Sequence, residues 1–239
     1  MRYERQRMMK EIGDKGQEKL TQSTVAVVGC GGLGSPALTY LACAGIGKLI
    51  LIDCDEVSET NLNRQFLHGM KDVGRPKVVS AKERLLEMNG EIEILGIQEK
   101  LTEENVEKFI EDADVVVDCV DNIETRILLG RACLRKDIPL VEAGVQGFYG
   151  WIMSVGREFA CLECMGFENI VITRPVPIIG TTAGVIGTLQ ANECIKILLG
   201  MEGTLFGTML QYDGISGSMD RIELQKSDFC KAHEGLTES

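Results

Sequence analysis

Thr24-Val25-Ala26-Val27-Val28-Gly29-Cys30-Gly31-Gly32-Leu33-Gly34 is the stretch that decides the fold. A short β-branched run ends in glycines, and beyond Gly34 the apolar spacing turns helical as far as Gly45, which makes a strand, a glycine-rich turn and a helix. Gly29, Gly31 and Gly34 have the G-x-G-x-x-G spacing, with Gly32 a further glycine between them. Bare N–H groups and a helix N-terminus at such a turn attract phosphate. So many glycines close together weaken a fold unless something needs their space. Asp53 closes the next strand, where an acid holds a ribose hydroxyl. On these features alone a nicotinamide or flavin dehydrogenase is the commoner reading, and a tight turn that binds nothing is the bland one.

Outward from this loop the texture alternates. Strands are expected at 48–52, 92–97, 113–118 and 138–142, and helices at 76–88, 103–110 and 124–135. Such alternation means an α/β fold, a Rossmann-like doubly wound sheet, mainly parallel, with helices on both faces. Past Gly144 the pattern becomes two-periodic at 149–155, 208–212 and 221–224, the mark of antiparallel strands. An apolar helix is expected at 182–199, ended by Gly200. No linker or repeat interrupts the chain, so residues 1–239 read as a single domain with an N-terminal helical arm at 1–23, an irregular crossover loop at 165–182 and a disordered last few residues.

Composition removes several classes of function. The 239 residues carry a formal net charge of −11 with no basic run, so nucleic acid and anionic membrane are not expected partners. Nine cysteines, an odd number set in apolar stretches, read as reduced thiols of a cytoplasmic protein. The first residues form no apolar leader, and no stretch is long enough to span a bilayer.

Asp53 is followed by Asp55, Asn61, Arg64 and Gln65, and then by Lys77 after Arg75-Pro76. A dehydrogenase does not need these residues, whereas attack on the α-phosphate of a nucleoside triphosphate needs cations and amide donors over the growing charge. Solvated helix charges are the bland reading of Arg64 and Lys77. Asp121 follows the strand ending at Asp118, at the crevice where ligands bind, and suits Mg²⁺; a helix N-cap is its alternative.

Taken in order, Gly29–Gly34, Asp53-x-Asp55, Asn61-Leu62-x-Arg64-Gln65, Pro76-Lys77, Asp118-Cys119-x-Asp121-Asn122 and Gly187-x-Leu189-Gln190 resemble the MoeB/ThiF/E1 superfamily of adenylyltransferases. The resemblance starts at Arg2-Tyr3-x-Arg5-Gln6 and covers nearly the whole chain. It implies ATP as nucleotide, Asp53 on the ribose, Arg64 and Lys77 on the phosphates, and Mg²⁺ on Asp121. Asn61 and Gln65 support the phosphate site, and Asp55 and Asn122 join the nucleotide-binding set. It also implies a homodimer in which Arg5 reaches the partner subunit's nucleotide.

Cys161-x-x-Cys164 and Cys230-x-x-His233 can form a Cys₃His zinc site. His233 stands where the family has a cysteine. Unliganded thiols with His233 on a frayed tail are the alternative, and a redox C-x-x-C fits less well. The crossover loop holds no cysteine between Met165 and Ala183, so no enzyme thioester is expected there, and Cys194 reads as core. A small-molecule carboxylate is therefore the first expectation for the substrate, as in the E1-like enzyme of iron-guanylylpyridinol cofactor biosynthesis. The C-terminal glycine of a ubiquitin-like sulfur-carrier protein is the alternative, and a dehydrogenase or nucleotide-binding scaffold a third. Gln146, Phe148, Tyr149, Trp151 and Arg174 are candidates for a substrate groove, with packing or surface as their bland reading.

Overall fold

A computed structural model of the chain describes residues 2–170 and 176–236. Arg174 and the last three residues, expected to be disordered, lie outside the described residues. One sheet has the order β3-β2-β1-β4-β5-β6-β7-β8. Its parallel half comprises β1 (Thr24–Val28), β2 (Lys48–Ile52), β3 (Glu93–Ile97), β4 (Val115–Asp118) and β5 (Leu140–Gln146). Its antiparallel half adds β6 (Tyr149–Val155), β7 (Thr208–Asp213) and β8 (Ser218–Glu223). The expected fold class is present.

Alternation along β1 shows how the sheet is covered. Val25 and Val27 join one buried cluster with Leu38, Leu41, Leu85 and Ala191, while Ala26 and Val28 join the other with Leu129, Cys133 and Ile110. The helices concerned are α3 (Gly34–Ala44), α4 (Lys77–Met88) and α7 (Gly180–Leu199) on the first face, and α5 (Val106–Ile110) and α6 (Ile123–Lys136) on the second. A strand buried on both faces must read as a continuous apolar run, as β1 does.

The strand order reverses between β1 and β4, which pair in parallel with Val28 beside Asp118. In such sheets the crevice beyond the carboxyl ends of these strands receives ligands. Gly29 leaves β1 there with φ +98°, and a Cβ on it would come within 2.6 Å of the Cys119 carbonyl oxygen.

Two expectations need correction. The helix at 103–110 is confined to Val106–Ile110, because the Asn105 side chain accepts from the Thr102 N–H (2.8 Å) and donates to the Lys100 carbonyl (3.0 Å), shaping 102–105 as a turn. The crossover loop ends earlier than 182: α7 already starts at Gly180, and short 3-10 turns occupy Leu162–Met165 and Phe167–Asn169. The helical arm expected at 1–23 consists of two helices, α1 (Glu4–Arg7) and α2 (Gly13–Gln22).

Candidate active site

The glycine loop is built by two kinds of glycine. A Cβ at Gly34 would strike the Gly29 carbonyl oxygen, so the turn itself excludes a side chain. At Gly31 and Gly32 the nearest atoms would lie 3.4 Å and 3.5 Å from an added Cβ, so the protein does not require glycine there. What a side chain would fill is the mouth of the crevice. The N–H groups of Gly31 through Gly34 have no acceptor among the described residues. Bare, convergent amide donors of this kind suit phosphate oxygens.

Asp53 directly follows β2 beside this loop. Its carboxylate accepts from the N–H of Cys30 (2.7 Å) and of Asp55 (2.8 Å). Burial pushes its carboxyl up, against the opposing pull of Lys77 and the two amides. Lys77, the first residue of α4, is buried and donates to Asp55 at 2.8 Å. Burial works against its charge, yet Asp53, Asp55 and Asp121 outweigh that cost and hold the ammonium above its ordinary range.

Asn61, Arg64 and Gln65 lie on a tight turn after Glu59. The Asn61 carbonyl accepts from the N–H groups of both Arg64 and Gln65 (3.1 and 3.0 Å), which fixes their direction. Arg64 runs past Gly32, its Cγ 3.5 Å from where a Cβ would sit, and its guanidinium bonds the Asn63 side chain at 2.9 Å. Gln65 is buried against Gly31, and its Oε1 has no hydrogen-bond partner. An orphaned buried amide oxygen beside the cradle fits a ligand that brings a hydrogen-bond donor there.

Asp121 and Asn122 divide two roles that the sequence left open. Asn122 is the N-cap of α6, its side chain accepting from the Thr125 N–H at 2.9 Å. Asp121 is therefore not the cap; it is exposed at the crevice and contributes to the charge on Lys77. Arg5 is elsewhere. Its helix is tied to the far end of α3 by Gln6, which donates to the Ala44 carbonyl at 3.0 Å. Eleven helical residues, about 16 Å of rise, separate that end from the glycine loop.

Several site residues escaped the sequence reading. His68 braces the glycine loop through the Cys30 carbonyl, at 3.0 Å. Arg126, five residues beyond Asp121 on α6, pairs with buried Asp118 (3.2 Å), donates to the carbonyls of Val120 (2.7 Å) and Ala143 (2.5 Å), and lies over Trp151, 5.3 Å from its ring centre. That settles Trp151 as packing, edge-on to Phe167. Beside this pair Glu142 is buried, and burial, followed by the Asp118 charge, raises its carboxyl well above the usual range. Gln190 joins α7 to the ends of β4 and β5 by donating to the Asp118 carbonyl at 2.6 Å, which gives the Gly187-x-Leu189-Gln190 motif an architectural role.

Cys161, Cys164, Cys230 and His233 converge, with all four donor atoms within 4.8 Å of one another. Cys161 Sγ lies 3.8 Å from Cys164 Sγ and 3.6 Å from Cys230 Sγ. Both ring nitrogens of His233 are buried without a hydrogen-bond partner; the nearby Arg157 carbonyl accepts the Lys226 ammonium at 2.7 Å. Burial lowers the proton affinity of this imidazole. Cys194 is fully buried and its thiol is pushed up by burial, in keeping with a core role.

The ammonium of Lys77 among Asp53, Asp55 and Asp121, and Arg64 beside Gly32, are the cations that attack on a nucleoside triphosphate needs near a glycine loop. Fold and site together define an E1-like nucleotide-binding enzyme. The ThiF family pattern matches residues 3–232. The chain is 39% identical over 235 residues to the sulfur carrier protein ThiS adenylyltransferase of Escherichia coli K12, covering 96% of this chain and 93% of that one. It is 40% identical over 247 residues to the adenylyltransferase and sulfurtransferase MOCS3 of Culex quinquefasciatus, covering 99% of this chain but only 56% of that longer one. The crystal structure of E. coli MccB with ATP superposes with a TM-score of 0.79 at 26% identity, over 90% of this chain and 68% of that one. The chain belongs to the ThiF family. It is an adenylyltransferase of the ThiF, MoeB and E1 type, the class that uses ATP to activate a carboxylate. Among the described residues no helix is long and apolar enough to cross a membrane.

Proposed function

We propose that this chain, acting as one adenylation unit, adenylylates the C-terminal glycine carboxylate of a ubiquitin-like sulfur-carrier protein. The observation that carries the choice of a protein substrate is an apolar rim on the same edge of the sheet as the glycine loop. Phe148 in the β5–β6 turn, Tyr149 at the start of β6, Ile215 in the β7–β8 turn and Met219 near the start of β8 are 45%, 50%, 70% and 47% exposed. The Gly214 N–H donates to the Phe148 carbonyl at 2.8 Å, which joins the two turns into one surface. A free pyridinol carboxylate has no need of such a surface, whereas a folded carrier has. The similarity along nearly the whole length of the ThiS adenylyltransferase supports the same choice over the small-molecule expectation.

In the reaction a carboxylate oxygen attacks the α-phosphorus, the bond to the bridging oxygen breaks, and pyrophosphate leaves with the electron pair. The amides of Gly31 through Gly34 hold phosphate oxygens, Asp53 the ribose, and Arg64 and Lys77 the charge that accumulates on the phosphates. Asn61 keeps the Arg64 backbone in place, Gln65 lines the loop at Gly31, and Asp55 keeps Lys77 charged until the triphosphate arrives. Asp121 would hold Mg²⁺, which keeps most of its ligands as water and phosphate and needs only one or two carboxylates. Cys161, Cys164, Cys230 and His233 would hold a structural zinc: Zn–S bonds of about 2.3 Å in a tetrahedron put sulfurs about 3.8 Å apart, close to the separations seen. With no cysteine in the crossover loop, the enzyme's part ends at the acyl-adenylate.

Because α1 sits at the wrong end of α3 to serve its own loop, Arg5 reaches a nucleotide only in a homodimer, on the partner's site. Exchange of labelled pyrophosphate into ATP tests the whole reading. Exchange should depend on a carrier ending in free glycine and vanish with an amidated carrier. Exchange driven by a pyridinol carboxylate alone would restore the small-molecule reading. Mixed dimers of Arg5→Ala with Asp121→Ala should recover activity in one site of two, and failure to complement counts against the shared site.

A further inference from the structure

We infer that His68 is a positioning residue for nucleotide binding, aiming the Gly31 amide into the cradle while locking the glycine loop to the segments that carry Arg64 and Lys77. The inference rests on the ATP reading above and adds a residue to it.

His68 is buried against the loop. Its Nε2 lies 3.0 Å from the Cys30 carbonyl oxygen and its Nδ1 lies 3.0 Å from Ser80 Oγ. A carbonyl can only accept, so Nε2 carries the proton, and in the neutral ring Nδ1 accepts from the Ser80 hydroxyl. Burial lowers the proton affinity of the ring; the Lys77 charge acts in the same direction, while the Cys30 carbonyl, Asp53 and Asp72 act against it. The neutral form with one tautomer follows.

The consequence for the loop comes from peptide geometry. The Cys30 carbonyl belongs to the peptide unit whose N–H is that of Gly31, and in a planar trans peptide the two point in opposite directions. Holding the carbonyl toward His68 therefore turns the Gly31 N–H away from His68, and that N–H has no acceptor among the described residues. The preceding peptide is fixed as well, because the Cys30 N–H is taken by Asp53 at 2.7 Å.

The other end of the ring ties in the cations. Ser80 lies on α4 one turn after Lys77, and the His68 N–H donates to the Gln65 carbonyl at 3.1 Å, next to Arg64. The imidazole thus ties the loop peptide to the helix that carries the ammonium, while the backbone N–H of the same residue makes the tie to the turn that carries the guanidinium. Packing alone would not need this pairing of donor and acceptor.

Two isosteric replacements separate the bonds. His68→Gln places an amide N–H near Nε2 and keeps the Cys30 bond, whereas His68→Asn reaches only the Nδ1 position and keeps Ser80. Binding of Mg²⁺ with α,β-methylene-ATP is measured by calorimetry, beside the thermal midpoint of each variant. We expect His68→Gln to stay within about threefold of the wild-type Kd and His68→Asn to weaken binding by about tenfold to a hundredfold, the scale for misplaced contacts, at matching thermal midpoints. Equal weakening by both variants, or no weakening by His68→Asn, overturns the inference. Wild-type protein that does not bind the analogue rejects the ATP reading and this inference together. Should the variants fail to fold, nitrogen NMR of the wild-type ring decides: a proton on Nε2 with a bare Nδ1 supports it, and the reverse tautomer overturns it.

Discussion

Lys77 donates to Asp55 across 2.8 Å, and the two ends of this pair differ sharply: the lysine side chain is 8% exposed and the aspartate 63%. The cation is set in the wall while its partner faces open solvent. An arriving triphosphate can therefore displace the carboxylate without uncovering the lysine. Lys77→Met should reduce pyrophosphate exchange by at least about a hundredfold, the scale of losing one charge-stabilising group, and Asp55→Asn by about tenfold, with most of the loss in the KM for ATP. Steady-state exchange kinetics check both, and a Lys77→Met enzyme with normal exchange would remove Lys77 from the phosphate site.

The glycines should separate into folding and binding positions. Gly34→Ala drives a methyl group into the Gly29 carbonyl and should lower the thermal midpoint markedly. Gly31→Ala and Gly32→Ala meet no close neighbour, so each should keep its midpoint and lose nucleotide affinity. Calorimetry and thermal melts on the three variants read the difference.

Asp121 and Asn122 are adjacent and should fail differently. Asn122→Ala removes the α6 cap, at a cost of about 1 kcal/mol, with exchange reduced far less than stability suggests. Asp121→Ala removes no cap and should melt like the wild type while losing exchange, with the loss appearing as a changed Mg²⁺ dependence.

Elemental analysis should find one zinc per chain. Prolonged chelation, or His233→Ala, should release it and lower the thermal midpoint, because Cys230 and His233 tie the tail of the chain to the Cys161–Cys164 turn. A fully metal-free protein with unchanged melting would reject a structural metal.

Mild acid should destabilise the fold through His68. Its proton affinity is lowered on folding from the ordinary value of 6.5, so below that value the unfolded chain takes up a proton that the folded one refuses. Stability is then complete above about pH 6.5 and falls as pH drops toward the folded value. His68→Gln, compared with wild type across pH 5 to 7 by thermal melts, should show a shallower decline.

Much of this architecture is legible in residue order, for a physical reason. A parallel strand buried on both faces has to be a continuous apolar run, so β1 and β4 announce themselves, and a turn that must bare its amides has to be glycine-rich. What stayed hidden depends on contacts between distant segments. Nothing around His68 marks it, because its partners Cys30 and Ser80 lie 38 and 12 residues away. Arg126 looks like a surface residue of α6, and only the meeting of β4 and β5 shows it buried against Asp118. The start of α5 is not legible in residue order because a side-chain bond from Asn105 competes with the helix. Asn122 and Asp121 are indistinguishable as caps until the Thr125 amide is located.

Gly187 has a mechanical corollary. A methyl group there would overlap the Leu33 carbonyl, so α7 and α3 touch backbone to backbone across the end of the glycine loop. The same helix α7 is held a second time, to β4, where Gln190 donates to the Asp118 carbonyl. A shift of α7 consequently cannot occur without also displacing the phosphate cradle.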